Sequence, residues 1–79
     1  MNTDLREKIR AIVVEVAEIE EVPDDAPFKD LGIDSMMAIE IVAEVERIYN
    51  IKVPEAELEK ISDLNSVVTL IDTILQAKK

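Results

Sequence analysis

With 79 residues, no cysteine and no histidine, the chain has the size of one small domain. It lacks the side chains for disulfides, Cys/His zinc sites, thiol nucleophiles or a Ser-His-Asp arrangement. Its formal net charge of −9 at pH 7 repels nucleic acid and anionic membranes and suits basic protein partners.

The core must be aliphatic, because Phe28 and Tyr49 are the only aromatic side chains. The first helix is expected to start at Thr3 or Asp4, with either as its cap. Leu5, Ile9, Ile12, Val13 and Val16 fall on one face at helical spacing, and Arg6, Lys8, Arg10 and Glu15 fall away from it. The acidic run Glu18 to Glu21 ends that pattern. Residues 18 to 34 then form a long connection, of a length that is often functional or internally structured. Pro23-Asp24-Asp25 reads as a turn, and Phe28 and Leu31 as anchors of a short helical turn against the core.

A second helix is expected from Ser35 to about Tyr49, since no Pro or Gly interrupts it. Ala38, Ile41, Val42, Val45, Ile48 and Tyr49 make its core stripe, with Met36, Glu40, Ala43 and Arg47 opposite. Met37 and Ile39 lie between the two faces, and Glu44 and Glu46 on the flanks. Asn50 suits the left-handed position after a helix, and Pro54 the first position of a short third helix with Leu58 and Ile61 inward. Ser62-Asp63 breaks the chain again. The last helix runs from about Asn65 to Gln76, with Val67, Val68, Ile71, Ile74 and Leu75 inward.

The expected fold is therefore all-α, a small four-helix bundle of three long helices and one short one, with a long loop between the first and second helices. Residues 1–79 are read as a single domain. The start is polar and no apolar run is long enough to span a membrane, so the expectation is a cytoplasmic monomer that does not insert into membranes.

Charge is unevenly spread along this frame. From Ile12 to Glu46 there are eleven acids and one base, Lys29, so much of the acid surrounds Ser35. Ser35 itself stands where the loop Asp30-Leu31-Gly32-Ile33 turns into the second helix. The first N–H groups of a helix have no partner and its dipole makes that end positive, so a phosphate attached there is stabilised. The same residues also suit a plain cap, since Asp and Ser are both favoured, by about 0.5–2 kcal/mol over Ala.

The string from Asp30 to Met36 resembles the attachment motif of acyl carrier proteins. The matching residues are Asp30, Leu31, Gly32, Asp34, Ser35 and Met36, continuing through Ala38-Ile39-Glu40-Ile41-Val42. Val53-Pro54-Glu55-Ala56-Glu57-Leu58-Glu59-Lys60-Ile61 is similar to that family's third-helix segment, and the resemblance runs over nearly the whole chain. It implies that Ser35 carries a 4′-phosphopantetheine arm whose thiol holds acyl groups as thioesters, with Asp34 in a supporting role. It also implies a carrier acted on by other enzymes, with no catalytic residue and no metal site of its own. The implied partners are a phosphopantetheinyl transferase, acyltransferases, ketosynthases and related enzymes with basic docking surfaces, serving fatty acid or polyketide-like biosynthesis. In similar proteins the second helix is the main recognition element. Met36, Met37, Ile39, Glu40, Glu44 and Glu46 are the expected partner-binding residues, and Ile39, Val42, Ile61 and Ile71 the expected lining of an acyl pocket.

The chain departs from the fatty-acid-synthesis pattern at three positions. Met37 and Arg47 stand where acids are common, and Ala43 where a larger apolar residue is common; Met37-Ala38 is similar to some polyketide carriers. Two other readings compete. One is a peptidyl carrier of nonribosomal synthesis, although its usual Gly-Gly is here Gly32-Ile33. The other is a helical protein-interaction module without prosthetic group, in which Ser35 is only a cap.

Overall fold

Apolar residues recurring every three to four positions, with no Pro or Gly among them, make α1 (Asn2–Ala17). In the computed structural model, which describes residues 2–78, this helix starts at Asn2. Thr3 and Asp4 thus lie inside its first turn and do not cap it, and Asp4 complements the positive end of the helix from there. Leu5, Ile9, Ile12 and Val13 are buried as their spacing predicts, Ala17 joins them, and Val16 is half-buried. Glu18 closes the helix in the left-handed conformation, with φ 56°, while the Ile19 N–H donates to the Val14 carbonyl. Glycine usually fills such a position, because a side chain there is strained.

A 3-10 turn (Phe28–Leu31), α2 (Ser35–Tyr49), a one-turn α3 (Glu55–Leu58) and α4 (Leu64–Lys78) complete the bundle. The expected all-α architecture is the one adopted, including the helical turn around Phe28 in the long loop. α1 packs against both α2 and α4. The core between them joins the α1 face to Ile41, Val42 and Val45 of α2 and to Leu64, Val67, Val68 and Ile71 of α4. Fully burying each such side chain contributes about 1.5–3 kcal/mol. Asn50 takes the left-handed position after α2, with φ 55°, as expected, and Pro54 precedes α3 as its N-cap and not as its first helical residue. Among the described residues no helix is long and apolar enough to cross a membrane.

One packing expectation needs correction. Ile48 is 40% exposed; it sits in a shallow depression at the margin where α1 and α2 meet, beside Lys8, Glu15 and Glu44. Leu58 and Ile61 pack against the core as expected but are half-buried, because α3 lies on the bundle and contributes no buried residue. Ile74 and Leu75 also face the core as expected, half-buried near the end of α4.

The long loop is held by residues whose role the helical pattern hides. Arg6 and Arg10, expected to point away from the core, lean onto Asp24. Arg10 Nη2 lies 2.5 Å from Asp24 Oδ1, and Arg6 Nη1 lies 3.5 Å from Asp24 Oδ2. Arg10 also donates to the Val22 carbonyl, and Arg6 to Asn65 Oδ1. The Asn65 N–H in turn donates to the Asp24 carbonyl at 3.1 Å, so one aspartate ties α1, the loop and α4 together. Further along, the Phe28 N–H donates to the Ser62 carbonyl at 2.8 Å, and Val22, Phe28 and Ile33 are buried.

An isolated surface ion pair contributes about 0–1 kcal/mol. Here the two arginines share one half-buried carboxylate and also bond to other groups, so charged hydrogen bonds of about 1.5–3 kcal/mol set the upper limit. Asp24→Ala is expected to cost about 1–2 kcal/mol in urea unfolding and to speed hydrogen exchange at the Asn65 amide. Unchanged stability together with unchanged exchange at Asn65 shows that the clamp carries no weight.

Glu18→Gly should act in the opposite direction, raising stability by up to about 1 kcal/mol through relief of the left-handed strain. The urea midpoint checks this, and a fall in midpoint shows that Glu18 is not strained there.

Candidate functional site

The geometry around Ser35 is set from both sides of it. Upstream, Gly32 takes φ 80° and closes the 3-10 turn, its N–H donating to the Lys29 carbonyl at 3.2 Å. Only glycine adopts that conformation without strain. The Ile33 N–H donates to the Phe28 carbonyl at 2.9 Å, and the Ile33 side chain is buried, which fixes the chain just before the helix. Asp34 then extends, with φ −92°, and acts as the N-cap: its Oδ1 accepts the Met37 N–H at 2.9 Å. Its carbonyl accepts the Ala38 N–H at 3.0 Å, the first bond of α2.

This settles which of the adjacent Asp and Ser is the cap. Asp34 does that work, and Ser35 is the first helical residue, exposed, with its hydroxyl engaged by none of the described residues. At such a position the backbone N–H has no intrahelical partner and lies at the positive end of the helix dipole.

Ser35 also lies at the edge of an open groove of about 650 Å³ between α2 and α3. Ala38 and Ile39 line one side, and Glu55, Ala56, Leu58, Glu59 and Ile61 the other. Ile61 faces a second groove as well, of about 450 Å³, on the α4 side of α3 with Lys60, Leu70 and Thr73. Of the four residues expected to line a pocket, Ile39 and Ile61 meet in the Ser35 groove. Val42 and Ile71 do not; they are buried in the core, at 3% and 0% exposure, and line neither groove.

The six residues expected to meet partners are also separated by the structure. Met36 and Ile39 are exposed at 74% and 52%, and Glu40 is exposed, whereas Met37 is half-buried against the core. Glu44 is held by the Arg47 guanidinium through two hydrogen bonds of 2.9 Å each, which keep its carboxyl below the usual carboxylate range. Glu46 is half-buried and turned back: its carboxylate accepts the Val53 N–H at 2.6 Å and fastens the connection between α2 and α3. Glu55 and Ala56 of α3, and Glu59 just after it, were missed as part of the site. Pro54 marked the start of α3 in the sequence, but nothing in the pattern showed which bank of a groove they would form.

The described residues thus form a small helical bundle with an unengaged serine hydroxyl at a helix start, beside a groove of mixed lining. Comparison with known proteins places it in a family. The family model for the phosphopantetheine attachment site matches residues 7–71. The chain is 40% identical over 68 residues to an acyl carrier protein of Wolinella succinogenes, a match covering 82% of this chain and 90% of that protein. It is 38% identical over 73 residues to polyketide-8 synthase acyl carrier protein 2 of Streptomyces avermitilis, covering 89% and 84% of the two chains. It also matches much larger proteins, among them non-reducing polyketide synthases of Emericella nidulans and Monascus ruber, of which it spans only 3% of the length. The crystal structure of an acyl carrier protein from Thermotoga maritima superposes with a TM-score of 0.86 over 99% of this chain and 94% of that one, at 24% identity, a likeness of fold. The chain belongs to the family of acyl carrier proteins that bear 4′-phosphopantetheine.

The division of labour between Asp34 and Ser35 can be measured. Asp34→Ala is expected to cost about 1 kcal/mol of stability and to raise exchange at the Met37 amide. Ser35→Ala should change stability by less than about 0.5 kcal/mol, as an exposed residue that is not the cap. Equal losses in the two variants would show that the serine shares the capping.

Proposed function

We propose that Ser35 is the attachment residue, and that residues 1–79 act as a single carrier domain. The observation that carries this is the exposed, unengaged Ser35 hydroxyl at the first position of α2, with Asp34 already acting as the cap. A phosphodiester on that oxygen sits at the positive end of a fifteen-residue helix. Asp34, whose carboxylate stands next to the serine in the chain, helps orient the metal and phosphate during transfer. Once bound, the prosthetic group supplies a thiol that holds an acyl chain as a thioester. Ile39, Ala38, Leu58 and Ile61 offer that chain an apolar bed close to its anchor.

The chain performs no catalysis on its own in this reading; it is the substrate of a phosphopantetheinyl transferase and then of acyltransferases and ketosynthases in the cytoplasm. The pathway is fatty-acid-like or polyketide-like. The departures at Met37, Ala43 and Arg47, together with the kinship to a polyketide synthase carrier, favour the polyketide side. Met37 has no free carboxylate to offer and Arg47 neutralises Glu44, so a partner selected for an acidic α2 finds a weaker target here.

Incubating the protein with coenzyme A, magnesium and a phosphopantetheinyl transferase should add the mass of one arm. Ser35→Ala should keep its helical spectrum and gain no mass. An arm on the Ser35→Ala variant, or two arms on the unaltered protein, would end the assignment.

A further inference from the structure

The two grooves that flank Ile61 differ in charge. The one on the α4 side carries Lys60, which pairs with Glu57 at 3.3 Å, and the polar side chains of Asn65, Ser66, Thr69 and Thr73. The Ser35 groove is lined by no base. Its charged lining residues are Glu55 of α3 and Glu59 just after it. Both are exposed, and neither has an ion-pair partner among the described residues. Ser35 and the apolar Ala38, Ile39, Ala56, Leu58 and Ile61 make up the rest of the lining. A phosphodiester on Ser35 adds a third negative charge at the edge of the same groove.

We infer that this groove sorts the cargo of the arm by charge: it shelters neutral acyl chains and keeps acyl units that end in a carboxylate out in water. The inference rests on Ser35 being the attachment residue and on the groove being the bed of the chain. A neutral chain meets Ile39, Leu58 and Ile61 and gains with each methylene it buries. A terminal carboxylate entering the same space gives up its water and finds no base to replace it. It also approaches Glu55, Glu59 and the phosphodiester, and apolar walls leave less water there to screen the repulsion. The two kinds of cargo are therefore presented differently. A neutral chain is withdrawn beside Ile61, and a carboxylated unit stands free at the end of the arm.

The test loads the protein from butyryl- or malonyl-coenzyme A with a phosphopantetheinyl transferase and magnesium. Amide chemical shifts are then compared with those of the protein bearing the bare arm. Butyryl should shift the Ile39, Ala56 and Ile61 amides, and malonyl should shift them about fivefold less at low salt. Added salt should narrow that gap. In Glu55→Gln/Glu59→Gln the ratio of malonyl to butyryl shifts should rise about twofold or more, and in Glu55→Lys/Glu59→Lys it should rise further. Because α3 contributes no buried residue and Glu59 is exposed, both variants should keep the parental helical spectrum, which circular dichroism verifies. Malonyl shifts as large as the butyryl shifts in the unaltered protein overturn the inference. So does a ratio that the Gln substitutions leave unchanged. Butyryl shifts that are absent, or confined to Leu70 and Thr73 in the other groove, overturn the bed and the inference with it. Failure of the unaltered protein to gain an arm at Ser35 instead removes the attachment reading beneath both.

Discussion

One carboxylate receiving two guanidinium groups holds the least regular part of this molecule in place. The connection between α1 and α2 is long and acidic, and an acidic segment left to itself repels its neighbours and stays extended. Arg6 and Arg10 reverse that locally by bringing two of the chain's nine basic residues onto Asp24. The same aspartate, through its carbonyl, reaches the first turn of α4. With that end pinned, and with Val22, Phe28 and Ile33 buried beyond it, the chain has little freedom left when it enters α2. The position of Ser35 is therefore inherited from contacts made well upstream of it.

At the start of α2 the division between Asp34 and Ser35 follows from what each side chain can reach. The cap position has an extended backbone, from which a short carboxylate meets the N–H three residues on. The first helical residue points its side chain outward, so a hydroxyl there remains free for chemistry. The two adjacent polar residues are interchangeable as helix punctuation but differ in availability: Asp34 holds the Met37 N–H, and the Ser35 hydroxyl is engaged by none of the described residues.

The helical periods announced the bundle, because burial on one face leaves a mark every three to four residues. The core stripes of α1 and α4 and the left-handed Asn50 were legible in this way. Residues outside the helical pattern were not: Val22 and Ile33 are buried singly, without neighbours in phase. Nor does periodicity say where a long charged side chain ends. Arg6 and Arg10 lie on the polar side of α1 and still reach across to the loop, while Glu46, on a flank of α2, bends back to a backbone N–H. For the site, the family was readable from the string Asp30 to Met36, but the assignment of that string's neighbours to groove or core was not. Val42 and Ile39 are three residues apart on one helix, and tertiary packing alone decides that one is sealed in the core and the other opens onto the groove.

The shortness of α3 has a bearing on tolerance. Four residues long, with Leu58 only half-buried, it adds no fully buried residue to the core that α1, α2 and α4 share. Moving it disturbs little apolar packing, so the free energy of such a displacement is small beside that of unfolding. Ile61, just after it, faces a groove on each side, and a shift that widens one narrows the other. α3 and Ile61 thus form a thin partition between two grooves, seated on the frame that α1, α2 and α4 make.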